Sequence, residues 1–427
     1  MMKKFVTTLF AVLLAVLLSG QGRLAGVCAM YEPPREERLD LPEGYEPWVI
    51  SHYGRHGARF LTSQNLYDSV YEVFSQEASK DNLTEYGAEV YDKLLSIKHY
   101  FDGNAGALTR RGEEQHRRIA VRMKRRYRSV FKADPQISAV SSTTPRCVRS
   151  MEVFCEALKS DPIEMRSDSA DLRMLNPFAC LGPCDAINYT SRASWKPYFR
   201  SYCDELVDTS PFESKLFKNG YSSSKMSLGT FEARLFNIIQ NLPCLDFKSP
   251  SFDGLFSESE KYSLWERDNI NCYLQSAYGF PGNDRKHSVC YPLLEDIILS
   301  ADKDLGRQRP SVRLRFGHDM TLNGLLTLMG VEGWNKRAES YAQIKDSFQN
   351  WRMPMAGNVQ MVLYKSASEG ERPLVRFFLN EKAVELPLDP VGDRLYEWQD
   401  FKDKYLGTVA DAFRTMSKPA CNYLFGI

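Results

Sequence analysis

The residues best suited to chemistry come as a pentad, Arg55-His56-Gly57-Ala58-Arg59. Two guanidinium groups flank one imidazole, and the glycine allows the backbone to come close to a ligand. Arginine presents a fork of donors that fits phosphate and stays charged at any working pH. A neutral imidazole held beside such forks could attack phosphorus. Two further polar clusters lie downstream: Arg146, at the end of Ser141-Ser142-Thr143-Thr144-Pro145, and Gly317-His318-Asp319.

Each cluster follows a segment that reads as a strand. Trp48-Val49-Ile50 is an apolar run, Val312 to Phe316 alternates apolar and polar residues, and Ile137 to Val140 forms a third short strand. Helical patterns come next. Leu322, Leu325, Leu326 and Met329 fall on one helix face with Gly330 as a stop. Arg146 opens a helix whose inner face is Val148, Met151, Cys155 and Leu158, with Thr144 as the expected N-cap and Pro145 at the first helical position. Polar residues at strand carboxyl ends lie where open α/β sheets bind ligands, and helix amino termini there favour anions.

Taken singly, these residues have ordinary readings. A lone histidine at a strand end is usually a hydrogen-bonded structural residue, and Asp319 alone would be an N-cap. An arginine in a first helical turn, such as Arg146, gains nothing from the helix dipole, so its placement asks for an anion. The pentad and the distant His-Asp pair together reverse the ordinary reading for His56 and His318. Arg149 reads as solvated, and His52 is left outside the site. The basic run Arg117, Arg118, Arg122, Lys124, Arg125 and Arg126 reads as the solvated face of a helix that buries Ile119, Met123 and Tyr127. The chain carries 55 Lys and Arg against 54 Asp and Glu. With no overall basic excess, a nucleic-acid partner is not expected.

With those motifs in order, the chain resembles the histidine acid phosphatases, the branch of the histidine phosphatase superfamily that includes phytases and multiple inositol polyphosphate phosphatases. The family pattern is R-H-G-x-R, a further arginine and then H-D. Arg146 matches the middle arginine by its trailing Ser150 and Phe154, and Leu108-Thr109-x-x-Gly112-x-x-Gln115 is similar to the segment before it. Two departures stand out. Leu61 replaces a usual proline, and His318-Asp319 is the pattern of ordinary acid phosphatases rather than the H-A-E of the multiple inositol polyphosphate enzymes. Arg59-Phe60-Leu61-Thr62 and Pro354-Met355-Ala356-Gly357-Asn358 look more like the inositol polyphosphate group.

The resemblance implies a phosphoric monoester hydrolase with His56 as nucleophile and Asp319 as proton donor. Arg55, Arg59, Arg146 and His318 would bind the phosphate, His318 as imidazolium. No metal or other cofactor is expected, because these cations supply the positive charge. Inositol polyphosphates such as phytate are the favoured small-molecule substrates. The alternatives are a broad acid phosphatase acting on sugar phosphates and a phosphoester-binding protein without turnover.

The expected fold is α/β: a central, mostly parallel sheet flanked by helices, with an inserted, mainly helical cap. Residues 30–160 and 300–427 would form the core and 161–299 the cap, as in the family. Asn358 to Tyr364 and Leu374 to Asn380 read as a hairpin, and Leu395 to Phe413 as a closing helix. Lys3 and Lys4 precede an apolar stretch from Phe5 to Leu18, too short to span a bilayer. This is an export signal, expected to end at Ala29, and it places the protein in the periplasm or outside the cell; a lipoprotein anchored at Cys28 is the weaker reading. Nine cysteines would remain, an odd number that leaves at least one thiol unpaired. Cys180 and Cys184 have no histidine or second pair nearby and read as a disulfide or free thiols rather than a metal site.

Overall fold

The structure, a computed structural model, describes residues 23–417 apart from 36, 38, 161, 182–194, 280–284 and 369. Among the described residues one sheet contains β1 (Tyr45–Arg55), β2 (Gln136–Ser141), β3 (Ile163–Ser167), β4 (Ser311–Gly317), β5 (Asn358–Ser366), β6 (Leu374–Leu379), β7 (Lys382–Ala383) and β8 (Tyr396–Glu397). The order is β3-β2-β4-β1-β5-β6-β7, with β8 pairing β6. The first four of these in space run parallel. The expected hairpin, β5 and β6, adds an antiparallel half against β1. The α/β class holds, and the sheet is mixed.

β1 is longer than its apolar run suggests, because it continues through the buried polar residues Ser51 and His52 to the motif's own Arg55. Central parallel strands are covered on both faces, so their burial does not alternate. One face of the sheet packs Ile50, Val312 and Leu314 against Ile119, Met123, Met151 and Phe154. The other packs Val49, Tyr53 and Met361 against Ile298, Leu322 and Phe401.

Ten longer helices accompany the sheet: α1 (Gln64–Ser79), α2 (Glu85–Phe101), α3 (Arg110–Arg126), α4 (Pro145–Leu158), α5 (Trp195–Leu206), α6 (Leu228–Asn241), α7 (Glu258–Ser276), α8 (Tyr291–Leu305), α9 (Asp319–Met329) and α10 (Trp398–Met416). None of the described helices is long and apolar enough to cross a membrane. The basic run lies on α3, where Arg117 and Arg118 pair with Glu113 and Glu114 one turn back and Arg122 with Glu381. On α4 the inner face is rotated slightly from expectation: Cys147 is fully buried and Val148 only half so.

Two boundaries differ from the sequence reading. β3 lies in the sheet although its residues fall in the segment assigned to the cap; as an edge strand it is largely exposed and shows no alternation. α1 and α2 pack with the cap, where Phe74 meets Phe231 of α6 at 5.3 Å between ring centroids. At the amino end, residues 1–22 lie outside the described residues, while Cys28 and Ala29, at the expected cleavage point, are buried.

Candidate active site

The carboxyl ends of β1, β4 and β2 bring the three sequence clusters together. Arg55 ends β1 opposite Gly317 of β4, and the His56 amide donates to the Gly317 carbonyl at 3.0 Å. The His56 and His318 ring centroids lie 5.8 Å apart, edge to face. Arg146 sits in the first turn of α4 and Asp319 in the first turn of α9.

The pentad keeps its shape because another motif docks into it. A Cβ on Gly57 would overlap the Gly112 backbone, and a Cβ on Gly112 would overlap the Ala58 carbonyl. Only glycine at both positions permits this approach. The Ala58 amide donates to Gln115 Oε1 at 2.9 Å, and the Thr109 amide and hydroxyl both donate to the Ala58 carbonyl. Thr109-x-x-Gly112-x-x-Gln115 is therefore the lock on the Arg55–Arg59 loop. From α4, Ser150 Oγ accepts the Gly57 amide at 3.3 Å.

His56 is buried, and its Nδ1 lies 2.9 Å from the Gly57 carbonyl. A carbonyl only accepts, so Nδ1 carries the proton and Nε2 keeps its lone pair. Burial, followed by Arg59, Arg55 and Arg146, holds the ring well below the ordinary histidine range, so it is neutral. Around it Arg55 Nε and Nη2, Arg59 Nε and Arg146 Nε are buried without hydrogen-bond partners. Arg55 Nη1 donates to the Met353 carbonyl at 2.7 Å. Its Nη2 lies 2.9 Å from Asp319 Oδ2, an ion pair outside hydrogen-bond angles.

Burial raises the Asp319 carboxyl, but Arg55 and Arg59 outweigh it and the net shift is downward, so the unliganded site holds a carboxylate. His318 differs from expectation. Burial and Arg146 lower it to about 4 despite Asp319, so the ring is neutral above that pH until an anion enters. Its Nε2 lies 3.3 Å from Ser142 Oγ and 3.4 Å from Thr144 Oγ1. Thr144 occupies the N-cap position of α4 but makes no side-chain cap; its hydroxyl faces His318 instead. His318 itself is the N-cap residue of α9, so Asp319 is the first helical residue, and its Oδ1 accepts the Met320 amide at 2.9 Å.

Sequence reading missed several supporting groups. Ser142 and Thr144 lie in a Ser/Thr run whose signal is only that of a turn. Met353 and Gly357 act through backbone carbonyls, Gly357 accepting the Arg55 amide at 2.8 Å, and carbonyls leave no trace in residue types. Ala356, at φ 61°, holds a left-handed conformation while its amide donates to the His56 carbonyl. Tyr53 accepts the His318 amide and donates to the Leu175 carbonyl. Arg149 turns away to Glu113 at 2.8 Å, and His52 lies beneath the site against Phe154. Cys180 is half-buried with a free thiol, and Cys184 lies outside the described residues.

Beside these groups a cavity of about 1210 Å³ runs under the cap. Met320, next to Asp319, forms part of its wall together with Lys196, Arg200, Arg234, Arg267 and Lys286. Asp204 is the one carboxylate among its described lining residues.

The sequence profile of the histidine phosphatase superfamily (branch 2) matches residues 54–179 and 186–380, and the chain belongs to that family. Multiple inositol polyphosphate phosphatase 1 of Drosophila melanogaster is 27% identical over 328 residues, 71% of this chain and 64% of the fly protein. The chain thus spans less than two thirds of that relative. The Gallus gallus protein of the same name is 22% identical over 88% of each chain. Among solved structures, Bifidobacterium longum multiple inositol polyphosphate phosphatase in complex with inositol hexasulfate superposes with a TM-score of 0.74 at 18% identity, covering 90% of this chain and 97% of the other. The phytase from D. castellii has a TM-score of 0.67 at 15% identity, covering 95% and 90%. The fold is therefore that of the histidine phosphatases.

Proposed function

We propose that the protein is an exported phosphomonoester hydrolase that acts through a phosphohistidine on His56, with inositol polyphosphates such as phytate as its preferred substrates. The observation that carries the chemistry is the set of buried, unpartnered guanidinium donors on Arg55, Arg59 and Arg146 around a neutral imidazole with its Nε2 lone pair free. Unpaired buried N–H groups are costly, and a phosphoryl oxyanion would satisfy them.

A bound phosphate takes the Arg55 donor from Asp319, and its negative charge draws a proton onto the Asp319 carboxyl and onto His318. The His56 Nε2 lone pair attacks phosphorus, the ester P–O bond breaks, and the Asp319 proton passes to the departing alkoxide. In the second half the Asp319 carboxylate takes a proton from water, the water oxygen attacks phosphorus, and the P–N bond breaks. Inorganic phosphate and the neutral histidine are regenerated. The fixed cations stabilise charge on the transferring group in both steps.

The five cap cations along the cavity support a substrate with phosphates beyond the reacting one, and the named relatives support inositol as its scaffold. The apolar segment Phe5 to Leu18 behind Lys3 and Lys4 supports export. Hydrolysis of phytate, glucose phosphate and an aryl phosphate, with the wild type and His56→Ala, tests the proposal. Phytate should give the highest kcat/KM, and a denaturing alkaline quench should trap phosphate on His56. His56→Ala should lose at least ~10³-fold in kcat. Negligible phytate turnover beside brisk turnover of the simple esters would leave the broad acid phosphatase. Turnover of none would leave a binding protein, and unchanged hydrolysis in His56→Ala would remove covalent catalysis.

A further inference from the structure

The amino-terminal arm meets the cap at two thiols that phosphoryl transfer does not use. Residues Gly26–Cys28 form a single turn set between the end of α6 and the 353–357 loop that holds Arg55 through its backbone. Gln240 Nε2 donates to the Leu24 carbonyl, Cys244 Sγ to the Cys28 carbonyl at 3.4 Å, and the Met355 amide to the Ala29 carbonyl at 2.8 Å. Asn241 Nδ2, which also holds the Arg59 carbonyl at 3.0 Å, approaches Cys28 Sγ at 3.8 Å. Cys28 is 6% exposed and Cys244 fully buried, and the Cys244 thiol reaches the Cys28 backbone although 216 positions separate them.

Their environments also differ from those of the other buried cysteines. The Cys244 hydrogen bond, with help from Arg59 and Arg55, overcomes burial and lowers Cys28 to about 7, while Cys244 is raised. Burial pushes Cys147 up to about 11 and Cys155 and Cys272 to about 12. Cys28 is the less buried of the two thiols, and its neighbour is placed to resolve the product.

We infer that Cys28 and Cys244 are joined in the mature protein as a disulfide that fastens the amino-terminal arm to the cap beside Arg59. The oxidant is a small-molecule or protein disulfide. The Cys28 thiolate attacks one of its sulfurs and expels a thiolate, giving a mixed disulfide. Cys244, giving up its proton, then attacks the Cys28 sulfur and expels the second thiolate. Two thiols of this chain are oxidised, and the oxidant leaves as two reduced thiols. A consequence follows for processing: any leader must be cut upstream of Cys28, not after Ala29, since the latter cut would discard one partner.

The inference is independent of substrate, and so is its test. The full chain is unfolded with reductant and refolded in glutathione disulfide; protein isolated from its natural compartment is treated in parallel. Free thiols are alkylated and the chain is digested with trypsin without reduction. The expected product joins Leu24–Arg35 to Leu235–Lys248. Reductant should lower the Tm of the oxidised wild type by on the order of 5 °C and leave the Tm of Cys28→Ala/Cys244→Ala unmoved. Alkylation of both cysteines after oxidative folding, a bridge from either one to a different cysteine, or a natural chain that starts at Met30 would overturn the inference.

Discussion

The sheet edge and the cap both gather cations, but they hold them differently. At the sheet edge, Arg55, Arg59 and Arg146 keep buried donors with no partner inside the protein. Under the cap, Arg267 already pairs with Asp268 at 2.7 Å, and Arg234 donates to Ser69 Oγ. Guanidinium groups that are fixed by the backbone and keep spare buried donors suit one anion in one position, which transition-state stabilisation requires. Partnered charges such as Arg234 and Arg267, on α6 and α7, suit several weaker contacts whose pattern can change without touching the reaction. On the proposed function, the edge would set the chemistry and the cap would set which ester receives it.

The sharpest way to break this division is to remove the proton donor and ask whether the leaving group matters. Asp319→Asn keeps the size of the side chain and its contact with Arg55 but cannot supply a proton. Alkyl phosphates, whose leaving alkoxides need one, should lose ~10²–10³-fold in kcat. An aryl phosphate with an acidic phenol should lose less than ~10-fold. Equal losses of kcat/KM for both would mean that Asp319 gives no proton to the leaving group, and the sheet edge would then be an anion site without an assigned acid.

The same contrast explains what could be read from the chain. The six candidate residues were legible because phosphate chemistry dictates their types, and because Gly57 and Gly112 are forced by a close backbone approach that no other residue allows. The parallel strands were legible through their apolar runs, although β1 outruns its own run by crossing buried Ser51 and His52. β3 was not, because an exposed edge strand buries nothing that would impose a pattern. The protonation of His318 was not legible either, since it depends on how close Arg146 and Arg55 come in space. In the cap, cations scattered over separate helices look in sequence like ordinary solvated charges, and only the cavity shows that they face one space.

That cavity gives the next test. Arg234→Ala/Arg267→Ala should raise KM for phytate by about tenfold, which corresponds to roughly 1.4 kcal/mol shared between two charge contacts. KM for the aryl phosphate, which has no second phosphate to bind, should stay within about twofold. An equal rise for both substrates would mean that the cap arginines support the reacting phosphate, and the separation of chemistry from selection would fail.

The two regions should also part in their response to pH. Beneath the sheet edge, His52 and His116 are fully buried, and burial lowers each to about 3. The unfolded chain binds their protons at about 6.5, so their contribution is intact above that pH and is lost as pH falls toward 3. In the cap, Glu232 is buried, its carboxyl oxygens are unpartnered, and burial with Glu260 raises it to about 8 against Arg267 and Lys215. Its sign is opposite: folded and unfolded chains are both protonated well below about 4.5, and stability is lost as pH rises from there to about 8. Each of the three groups contributes at most about 5 kcal/mol. Tm followed from pH 3 to 9 should therefore fall at both ends, with His52→Leu/His116→Leu flattening the acid limb and Glu232→Gln the alkaline one. If His52→Leu/His116→Leu left the acid limb unchanged, the buried imidazoles would not be the groups that destabilise the core in acid, and the loss would belong to carboxylates such as Asp304, lowered by Arg313 despite its burial.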